Sequence, residues 1–482
     1  MADDKSKKFL GEGNRLLEAV DSCDKVLAID PSNANAWGIR GVALGRLERY
    51  QDAIESFDKA LAINPNDATA WRSRGVAFFR LERYQEAVES YDKALAIDPN
   101  DSTVWSSRGG ALFILERYDE AVDSYDKALA IDTNNASAWS CRGAALFITK
   151  RYDEAVDSFD KALAIDPNDA AAWGGRGAAL AGLERYKVAV DSLDKALSID
   201  PKNANAWSCR GAVLAALERY DEAVDSYDKA LAIDPNNASA WSCRGAALLV
   251  LERRQEAIDS FDKALAIDTN NASAWHNRGF ALAGLERYKD AVDSYDKALA
   301  IDTNNATTWI GRGLALFILK RYDEAVNSFD KALAVDPNDA TTWIGRGLAL
   351  KGLKRYQEAV ESFEQALVKD SNPTSSTFVF KEKMDALDRL EGWLKSRRPP
   401  DPYVELYKTV KETEGRLHLF IRVRLQAALG DDESNWWLEG VPEKIRLECV
   451  QRWEKYLRRE HAYNYTYLID LKDILDKRWV AS

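Results

Sequence analysis

The sequence predicts an all-α protein, an α-solenoid of stacked helix pairs followed by a small C-terminal helical bundle. A block of 34 residues recurs ten times, and its tryptophan marks the period. These tryptophans are Trp37, Trp71, Trp105, Trp139, Trp173, Trp207, Trp241, Trp275, Trp309 and Trp343. Within a block, apolar and small residues recur at the three- and four-residue spacing of helices. A fixed period of this length indicates units that stack on their neighbours instead of sharing one globular core.

Each block is predicted to contain two helices. In the first complete block, the spacing of Trp37, Gly41 and Leu44 predicts helix A, and that of Ala53 and Phe57 predicts helix B. Gly41 and Ala53 have almost no side chain, so we expect the two helices to approach closely there. The residue before each helix A is always Asn or Asp, the residues preferred as a helix N-cap. They are Asn33, Asp67, Asp101, Asn135, Asp169, Asn203, Asn237, Asn271, Asn305 and Asp339.

This pattern resembles the tetratricopeptide repeat (TPR) family. The matching residues in the first complete block are Trp37, Gly41, Ala53, Phe57, Ala60 and Pro65. Leu44 stands where the family usually has Tyr, and Arg40 where it usually has Leu. The resemblance extends over ten units in residues 34–370. It implies a right-handed superhelix of helix pairs, whose concave groove binds peptides or protein segments.

The resemblance also implies which side chains line the groove. They occupy four positions of helix A, which hold Asn35, Gly38, Val42 and Gly45 in the first block. The larger side chains carried over to such positions, the candidate partner-binding residues, are Val42, Val76, Phe79, Phe113, Phe147, His276, Phe280, Ile310, Leu314, Phe317, Ile344 and Leu348. Two apolar patches separated by small residues suggest an extended segment anchored at two places. The alternative is that these side chains pack between neighbouring helices.

Ten arginines share one position of helix A, from Arg40 to Arg346 at intervals of 34 residues. One interpretation makes them a rail for phosphates or an acidic peptide. The other pairs each arginine with an acid on helix B, such as Asp194 for Arg176. Recurrence in every block favours the structural interpretation, because a ligand rarely needs so many identical contacts.

The charge balance argues against a nucleic-acid partner for the repeats. The formal net charge is −12, and the residues from Thr374 onward include 20 basic and 19 acidic ones, so the residues before Thr374 carry −13. Nucleic-acid binding requires a basic face. No apolar run approaches the ~20 residues of a membrane span, and the first residues lack a signal-peptide core. We therefore expect a cytoplasmic protein with a protein or peptide partner and no membrane contact.

Cysteines and histidines do not suggest a metal site. Cys141, Cys209 and Cys243 share one position of helix A, with no His or further Cys at zinc-ligand spacing. We expect them to be small, partly buried residues in a reducing compartment. The sequence also shows no nucleotide-binding loop and no Ser–His–Asp grouping. It predicts no cofactor, no metal and no catalytic residue.

Both ends of the repeat array differ from the repeats. Residues 1–33 keep the helix B pattern, but Asp3 stands where the tryptophan should be, which predicts a degenerate N-terminal capping repeat. After Asp370, residues 371–402 are predicted to form a polar linker and a capping helix. The amphipathic pattern places this helix from Phe378 to Ser396.

Residues 403–482 are predicted to form a separate helical domain. Its run from Leu417 to Leu425, the pair Trp436 and Trp437, and its last helical segment are similar to HEPN-type domains. Active members of that family share an Arg-x4–6-His motif, which neither His418 nor His461 completes. We expect the domain to be incomplete, because the chain ends shortly after Trp479, where the resemblance implies further helix.

Taken together, these features favour a non-enzymatic interaction scaffold. The groove would bind a segment of a partner protein, and the C-terminal domain would serve as an adaptor or a module for self-association. One alternative is a HEPN-type RNase or RNA-binding effector regulated by the repeats. Another is a purely structural spacer.

Overall fold

The computed structural model describes residues 2–369 and 373–397, so the domain predicted for residues 403–482 lies outside the described part. The described residues form 22 α-helices and no strand, as the all-α prediction requires. The chain divides into two compact units, residues 1–270 and 271–482. Within each unit, helices A and B alternate along the chain and are joined by short turns.

In the first unit, α1 is followed by seven pairs, in which even numbers are helices A and odd numbers helices B. The helices are α1 (Ala2–Ile29), α2 (Ala34–Arg46), α3 (Tyr50–Ile63), α4 (Ala68–Arg80), α5 (Tyr84–Ile97), α6 (Ser102–Ile114), α7 (Tyr118–Ile131), α8 (Ala136–Ile148), α9 (Tyr152–Ile165), α10 (Ala170–Gly182), α11 (Tyr186–Ile199), α12 (Ala204–Ala216), α13 (Tyr220–Ile233), α14 (Ala238–Val250) and α15 (Arg254–Ile267). These pairs form repeats 1 to 7.

In the second unit, three further pairs form repeats 8 to 10, and a longer helix follows them. The helices are α16 (Ala272–Gly284), α17 (Tyr288–Ile301), α18 (Ala306–Ile318), α19 (Tyr322–Val335), α20 (Ala340–Gly352), α21 (Tyr356–Lys369) and α22 (Pro373–Arg397). Every helix A contacts the helix B of its own repeat.

Each helix A begins at the predicted N-cap. The Oδ1 atom of Asn33 accepts a hydrogen bond from the Ala36 N–H at 3.0 Å, and that of Asp169 from the Ala172 N–H at 3.0 Å. The same side-chain cap is present at all ten helices A. One such cap typically contributes ~1 kcal/mol, so the sequence prediction of these helix starts is confirmed.

The turn from helix A to helix B contains a left-handed residue that is not glycine. In repeat 1 this residue is Glu48, with φ of 58°. The Arg49 N–H donates to the Leu44 carbonyl at 2.9 Å, and the Glu48 N–H donates to the Gly45 carbonyl at 3.2 Å. This pattern satisfies the last carbonyls of the helix as a Schellman motif does. All ten turns place Glu or Lys here, with φ between 57° and 63°.

Within each repeat, one large side chain of helix B fills the space above the glycine of helix A, and it is an aromatic ring in every repeat except repeat 5, which has Leu193. A Cβ added at Gly41 would lie 2.6 Å from the ring of Phe57. The close approach expected at Gly41 is therefore present, and the side chain nearest to this glycine is that of Phe57. Phe57 is only 2% exposed, so the glycine makes room for one of the largest core side chains.

The same ring also restricts the next repeat along the chain. A Cβ added at Gly175 of repeat 5 would lie 2.4 Å from Cζ of Phe159 in repeat 4. In repeat 3 the ring is that of Tyr125, and Cys141 stands at the position of the next repeat that is equivalent to Gly175. Burial, together with the interaction with Cys141, raises the pKa of the Tyr125 hydroxyl. Cys141 and Cys243 are exposed, in contrast to the expected partial burial, whereas Cys209 is partly buried.

The tryptophan of each repeat ties helix A to the preceding turn. The Nε1–H of Trp173 donates to the Pro167 carbonyl at 3.0 Å. A lysine of helix B covers the ring in most repeats, as Lys127 does over Trp105 with 4.3 Å between Nζ and the ring centroid. Most of these tryptophans are half-buried. They therefore lie at the edge of the contact between neighbouring repeats and not in the middle of the core.

At the N-terminus, residues 2–29 form one continuous helix and not the helix pair of a degenerate repeat. The last turns of α1 take the place of a helix B. Val20, Cys23 and Leu27 are buried there, each 34 residues before a buried residue of α3. The C-terminal part of α1 thus packs on repeat 1 as a helix B would. The helix extends from there towards the N-terminus without a turn.

At the other end, α22 covers repeat 10. It begins at Pro373, five residues before the predicted start at Phe378, because proline is well tolerated in the first turn of a helix. Val379 and Ala386 are fully buried and share a core with Phe363 of α21. Lys351 of α20 pairs with two acids of this helix, Glu382 and Asp385.

Candidate partner-binding site

The arginine position of helix A is a junction of three helices. The Nε–H of Arg74 donates to Oδ1 of Asp58 at 2.6 Å, and its Nη1–H donates to Oγ of Ser90 at 2.8 Å. Asp58 lies on helix B of the preceding repeat, and Ser90 on helix B of the same repeat. Ser90 is buried, and its hydroxyl donates to the Glu86 carbonyl at 2.8 Å. The arginine therefore joins its own repeat to the one before it.

These contacts recur along both units. The arginine–aspartate pairs, at 2.5 to 2.7 Å, are Arg40–Asp24, Arg74–Asp58, Arg108–Asp92, Arg142–Asp126, Arg176–Asp160, Arg210–Asp194, Arg244–Asp228, Arg312–Asp296 and Arg346–Asp330. Arg278 donates to the equivalent serine, Ser294, at 2.8 Å. The geometry supports the structural interpretation, but it corrects the partner. The acid paired with Arg176 is Asp160 of the preceding repeat and not Asp194.

Both end helices complete this ladder. At the N-terminal end, Asp24 of α1 pairs with Arg40 as the aspartates of the repeats pair with the arginines that follow them. At the opposite end, Lys383 of α22 lies 2.9 Å from Glu364 of α21, and its side chain is only 12% exposed. A lysine and a glutamate thus replace the arginine and aspartate at the last junction.

The predicted groove residues divide into an exposed and a half-buried group. The exposed fractions are 40% for Val42, 42% for Val76, 59% for Phe280 and 45% for Leu314. All four occupy the same position of their helices A. Leu348 shares that position, but it is half-buried against the core of repeats 9 and 10.

The phenylalanines three residues further along helix A pack within their own repeats. They are Phe79, Phe113, Phe147 and Phe317. The ring centroid of Phe113 lies 5.3 Å from that of Tyr118, edge to face, and that of Phe147 lies 5.6 Å from that of Tyr152. The structure thus shows these four side chains half-buried against the start of helix B in their own repeats, and their role as partner anchors stays a prediction.

The remaining three candidates, all half-buried, share another position of helix A. His276 is half-buried, with Nδ1 2.8 Å from Oγ1 of Thr308, and burial lowers the pKa of its imidazole below the usual value. Ile310 packs beside Leu299 and Trp309. Ile344 packs at the edge of the core of repeats 9 and 10.

Sequence reasoning missed exposed residues at the end of helix A. Ile318 is 49% exposed at the last position of α18, in the same unit as Phe280 and Leu314. It lies outside the four positions that the family resemblance assigns to the groove. Its place in the sequence, at the end of a helix and just before a polar turn, could have indicated that Ile318 is exposed.

Residues 2–369 and 373–397 contain no group of three or more His, Cys, Asp or Glu side chains that could hold a metal ion. Among the helices of this part of the chain, none combines the length and the apolar character needed to cross a membrane. The predicted residues His418 and His461 lie outside the described part.

Sequence models of the tetratricopeptide repeat match nearly the whole array. The matched segments are residues 40–102, 109–149, 136–169, 170–203, 204–237, 238–271, 272–305, 306–339 and 340–373. The chain belongs to the tetratricopeptide repeat family. TPR proteins bind protein or peptide partners as scaffolds, and this chain has the helix-pair architecture of such a scaffold.

Solved structures similar to this TPR chain include three proteins. YrrB, described as a TPR protein with an unusual peptide-binding site, is 28% identical, with a TM-score of 0.35 over 39% of this chain and 97% of its own. The Cut9–Hcn1 assembly of the APC/C is 15% identical, with a TM-score of 0.39 over 77% and 93%. PilF of Pseudomonas aeruginosa is 20% identical, with a TM-score of 0.39 over 44% and 97%. The comparison with curated proteins gave no match.

Proposed function

We propose that this TPR protein is a non-enzymatic scaffold that binds an apolar segment of a partner protein on helices A of repeats 8 to 10. The observation that carries the proposal is the exposure of Phe280. Its side chain is 59% exposed, although it stands on a regular helix and not in a loop. Burying a phenylalanine contributes roughly 1.5–3 kcal/mol, and a partner that covers Phe280 would gain this free energy.

Phe280 belongs to a patch of neighbouring side chains. Leu314 and Ile318 of α18 are 45% and 49% exposed, and α18 contacts both α16 and α20. Ile310 of α18 and Ile344 of α20 are half-buried on the same set of helices A. Single exposed apolar residues are common on protein surfaces, but a cluster of them on neighbouring helices indicates an interaction site.

The charge of these helices favours an uncharged apolar segment as the partner. None of α16, α18 and α20 contains an acidic residue. The arginines of the ladder are already engaged, as Arg312 is with Asp296 and Ser328. A partner's charged residue would therefore lose its hydration here without gaining a new counter-ion.

The C-terminal domain enters the proposal from its sequence alone. We propose that residues 403–482 act as an adaptor or a self-association module. The HEPN-type RNase weighed as an alternative depends on these same residues, which lie outside the described part. No observation on residues 2–369 and 373–397 favours that alternative.

The test uses peptides selected on the purified protein. A phage-displayed peptide library is panned on the full chain, and the enriched peptides are titrated by fluorescence anisotropy. We expect them to be apolar, and Phe280→Glu with Leu314→Glu should weaken their binding by at least ~2 kcal/mol, because each glutamate must be desolvated. Circular dichroism checks that the variant keeps its helices.

A matched control changes two equally apolar side chains on the same repeats. Ile301 and Val335 end the helices B of repeats 8 and 9 and are 37% and 43% exposed. Ile301→Glu with Val335→Glu should leave binding unchanged. Equal losses in both double variants, or selected peptides that tolerate Phe280→Glu, would exclude this binding surface.

A further inference from the structure

We propose that repeats 1 and 2 carry a second binding surface, which takes a protein segment with carboxylates beside aliphatic side chains. Its residues are Ile39, Val42 and Arg46 on α2, and Val76 and Arg80 on α4. On α2 they are spaced three and four residues apart, so they follow one stripe of the helix. Val76 and Arg80 repeat the spacing of Val42 and Arg46 one repeat later.

The aliphatic part of this surface is open. Ile39 is 59% exposed, Val42 40% and Val76 42%. In the following repeats the position of Ile39 holds small or polar residues, such as Ser73 and Cys141. Repeat 1 thus presents an aliphatic side chain where those repeats do not.

The two arginines stand outside the arginine ladder. Both are exposed, whereas the ladder arginines beside them, Arg40 and Arg74, are only 22% and 21% exposed. Within residues 2–369 and 373–397, neither Arg46 nor Arg80 pairs with a carboxylate. The equivalent residues of repeats 3 to 10 are Ile114, Ile148, Gly182, Ala216, Val250, Gly284, Ile318 and Gly352. The repeat fold therefore does not require arginine at this position.

The local charge selects an acidic partner. Neither α2 nor α4 contains an acidic residue, although the chain carries a formal net charge of −12. The nearest acids along the chain beyond Arg46 and Arg80 are Glu48 and Glu82, both exposed in the following turns. A partner carboxylate can form a bidentate, charge-assisted contact with each guanidinium. Aliphatic side chains of the same segment would cover Ile39.

A nucleic acid fits these observations less well than an acidic peptide. Binding a phosphate backbone depends on an extended basic face, which here is limited to two arginines in an acidic chain. Nucleic-acid bases would also gain little from aliphatic residues, since they stack best on aromatic side chains. The acidic, aliphatic protein segment is therefore the occupant that we propose.

The test compares labelled synthetic peptides by fluorescence anisotropy on the full chain. A peptide of alternating leucine and glutamate should bind, one of alternating serine and glutamate should bind more weakly, and one of leucine and lysine should not bind. Arg46→Glu with Arg80→Glu should weaken the leucine–glutamate peptide about tenfold or more. Both arginines are exposed, so the helices should melt as in the original protein.

The control makes the same charge change elsewhere. Lys195 and Lys202 are exposed in repeat 5 and in the turn that follows it, and Lys195→Glu with Lys202→Glu should preserve binding within about twofold, because exposed charges at a distance are screened by salt. Equal losses in both variants, no binding of the leucine–glutamate peptide, or stronger competition by a single-stranded oligonucleotide would overturn the proposal. Phe280→Glu with Leu314→Glu should leave this binding intact, so the two proposed surfaces can fail separately.

Discussion

Arg176 of repeat 5 donates from Nε to Oδ1 of Asp160 in repeat 4 at 2.6 Å. The same guanidinium donates from Nη1 to Oγ of the buried Ser192 in its own repeat at 2.7 Å. One side chain therefore links two repeats and also links the two helices of one repeat.

A double-mutant cycle tests which acid serves Arg176. Asp160 is 50% exposed, so we expect a coupling of only ~0.5–1 kcal/mol between Asp160→Ala and Arg176→Leu in urea unfolding. Arg176→Leu should be tolerated, because the Ser192 hydroxyl keeps its bond to the Val188 carbonyl at 3.0 Å. Asp194→Ala should show no coupling to Arg176→Leu. A coupling as large with Asp194 as with Asp160 would contradict the assignment.

Two adjacent glycines of α10 allow a matched comparison. An added Cβ at Gly175 would lie 2.4 Å from Cζ of Phe159, whereas at Gly174 it would meet nothing within 4 Å. We expect Gly175→Ala to lower the free energy of unfolding by ~1–3 kcal/mol, because the buried ring must move. Gly174→Ala should raise it by ~0.5–1 kcal/mol through helix propensity. Chemical denaturation measures both, and equal effects would disprove the role assigned to the ring.

Deleting whole repeats tests how neighbours fit each other. Leu193 faces Cys209 of the next repeat at present. Removing residues 204–237 would place Cys243 there instead, so Leu193 would again face a cysteine. Removing residues 170–203 instead brings Phe159 against Cys209, where the present neighbour is Gly175. Because each repeat contacts only its neighbours, both products should fold. We expect the second to melt at a lower temperature, and identical melting curves would contradict this.

His276 makes stability depend on pH. Burial lowers the pKa of its imidazole in the folded protein, whereas the unfolded chain has a pKa of ~6.5. The unfolded chain therefore binds a proton at a higher pH than the folded one. The stability linked to neutral His276 is complete above about pH 6.5 and is lost as the pH falls through the folded pKa.

We accordingly expect the melting temperature to fall more for the original protein than for His276→Gln between about pH 7 and about pH 5. Glutamine keeps a polar group near Thr308, so the two proteins should melt alike at the higher pH. Thermal scans by circular dichroism at both pH values give the difference. A parallel decline in both proteins would show that His276 does not contribute.

The helices of the repeats could be predicted because their signals are local. The N-cap residues, such as Asn33, and the small and apolar residues at helical spacing define each start and each buried face. The continuous α1 could not be predicted in this way. Residues 1–33 match the helix B pattern only at their C-terminal end, and the N-terminal part lacks the apolar face that would pack a separate helix A. Without that packing, the backbone hydrogen bonds simply continue.

The binding surface was less predictable than the fold, because exposure depends on contacts between helices. Phe280 and Phe113 both stand at groove positions of helix A, but Phe113 is covered by Tyr118 at the start of its own helix B.

The ion pairs were ambiguous for another reason. Repeats 1 to 9 all offer the same aspartate, so periodicity alone cannot tell whether Arg176 uses Asp160 or Asp194.

The closed ends of the arginine ladder limit how the stack can grow. A fragment of whole repeats such as residues 68–237 would carry Arg74 without Asp58 at one end and Asp228 without Arg244 at the other. These two ends are complementary, so copies of the fragment could join head to tail and continue as an open fibre. In the full chain, Asp24 already serves Arg40, and Lys383 already serves Glu364. The two end helices thus occupy the charged groups through which such a fragment would join.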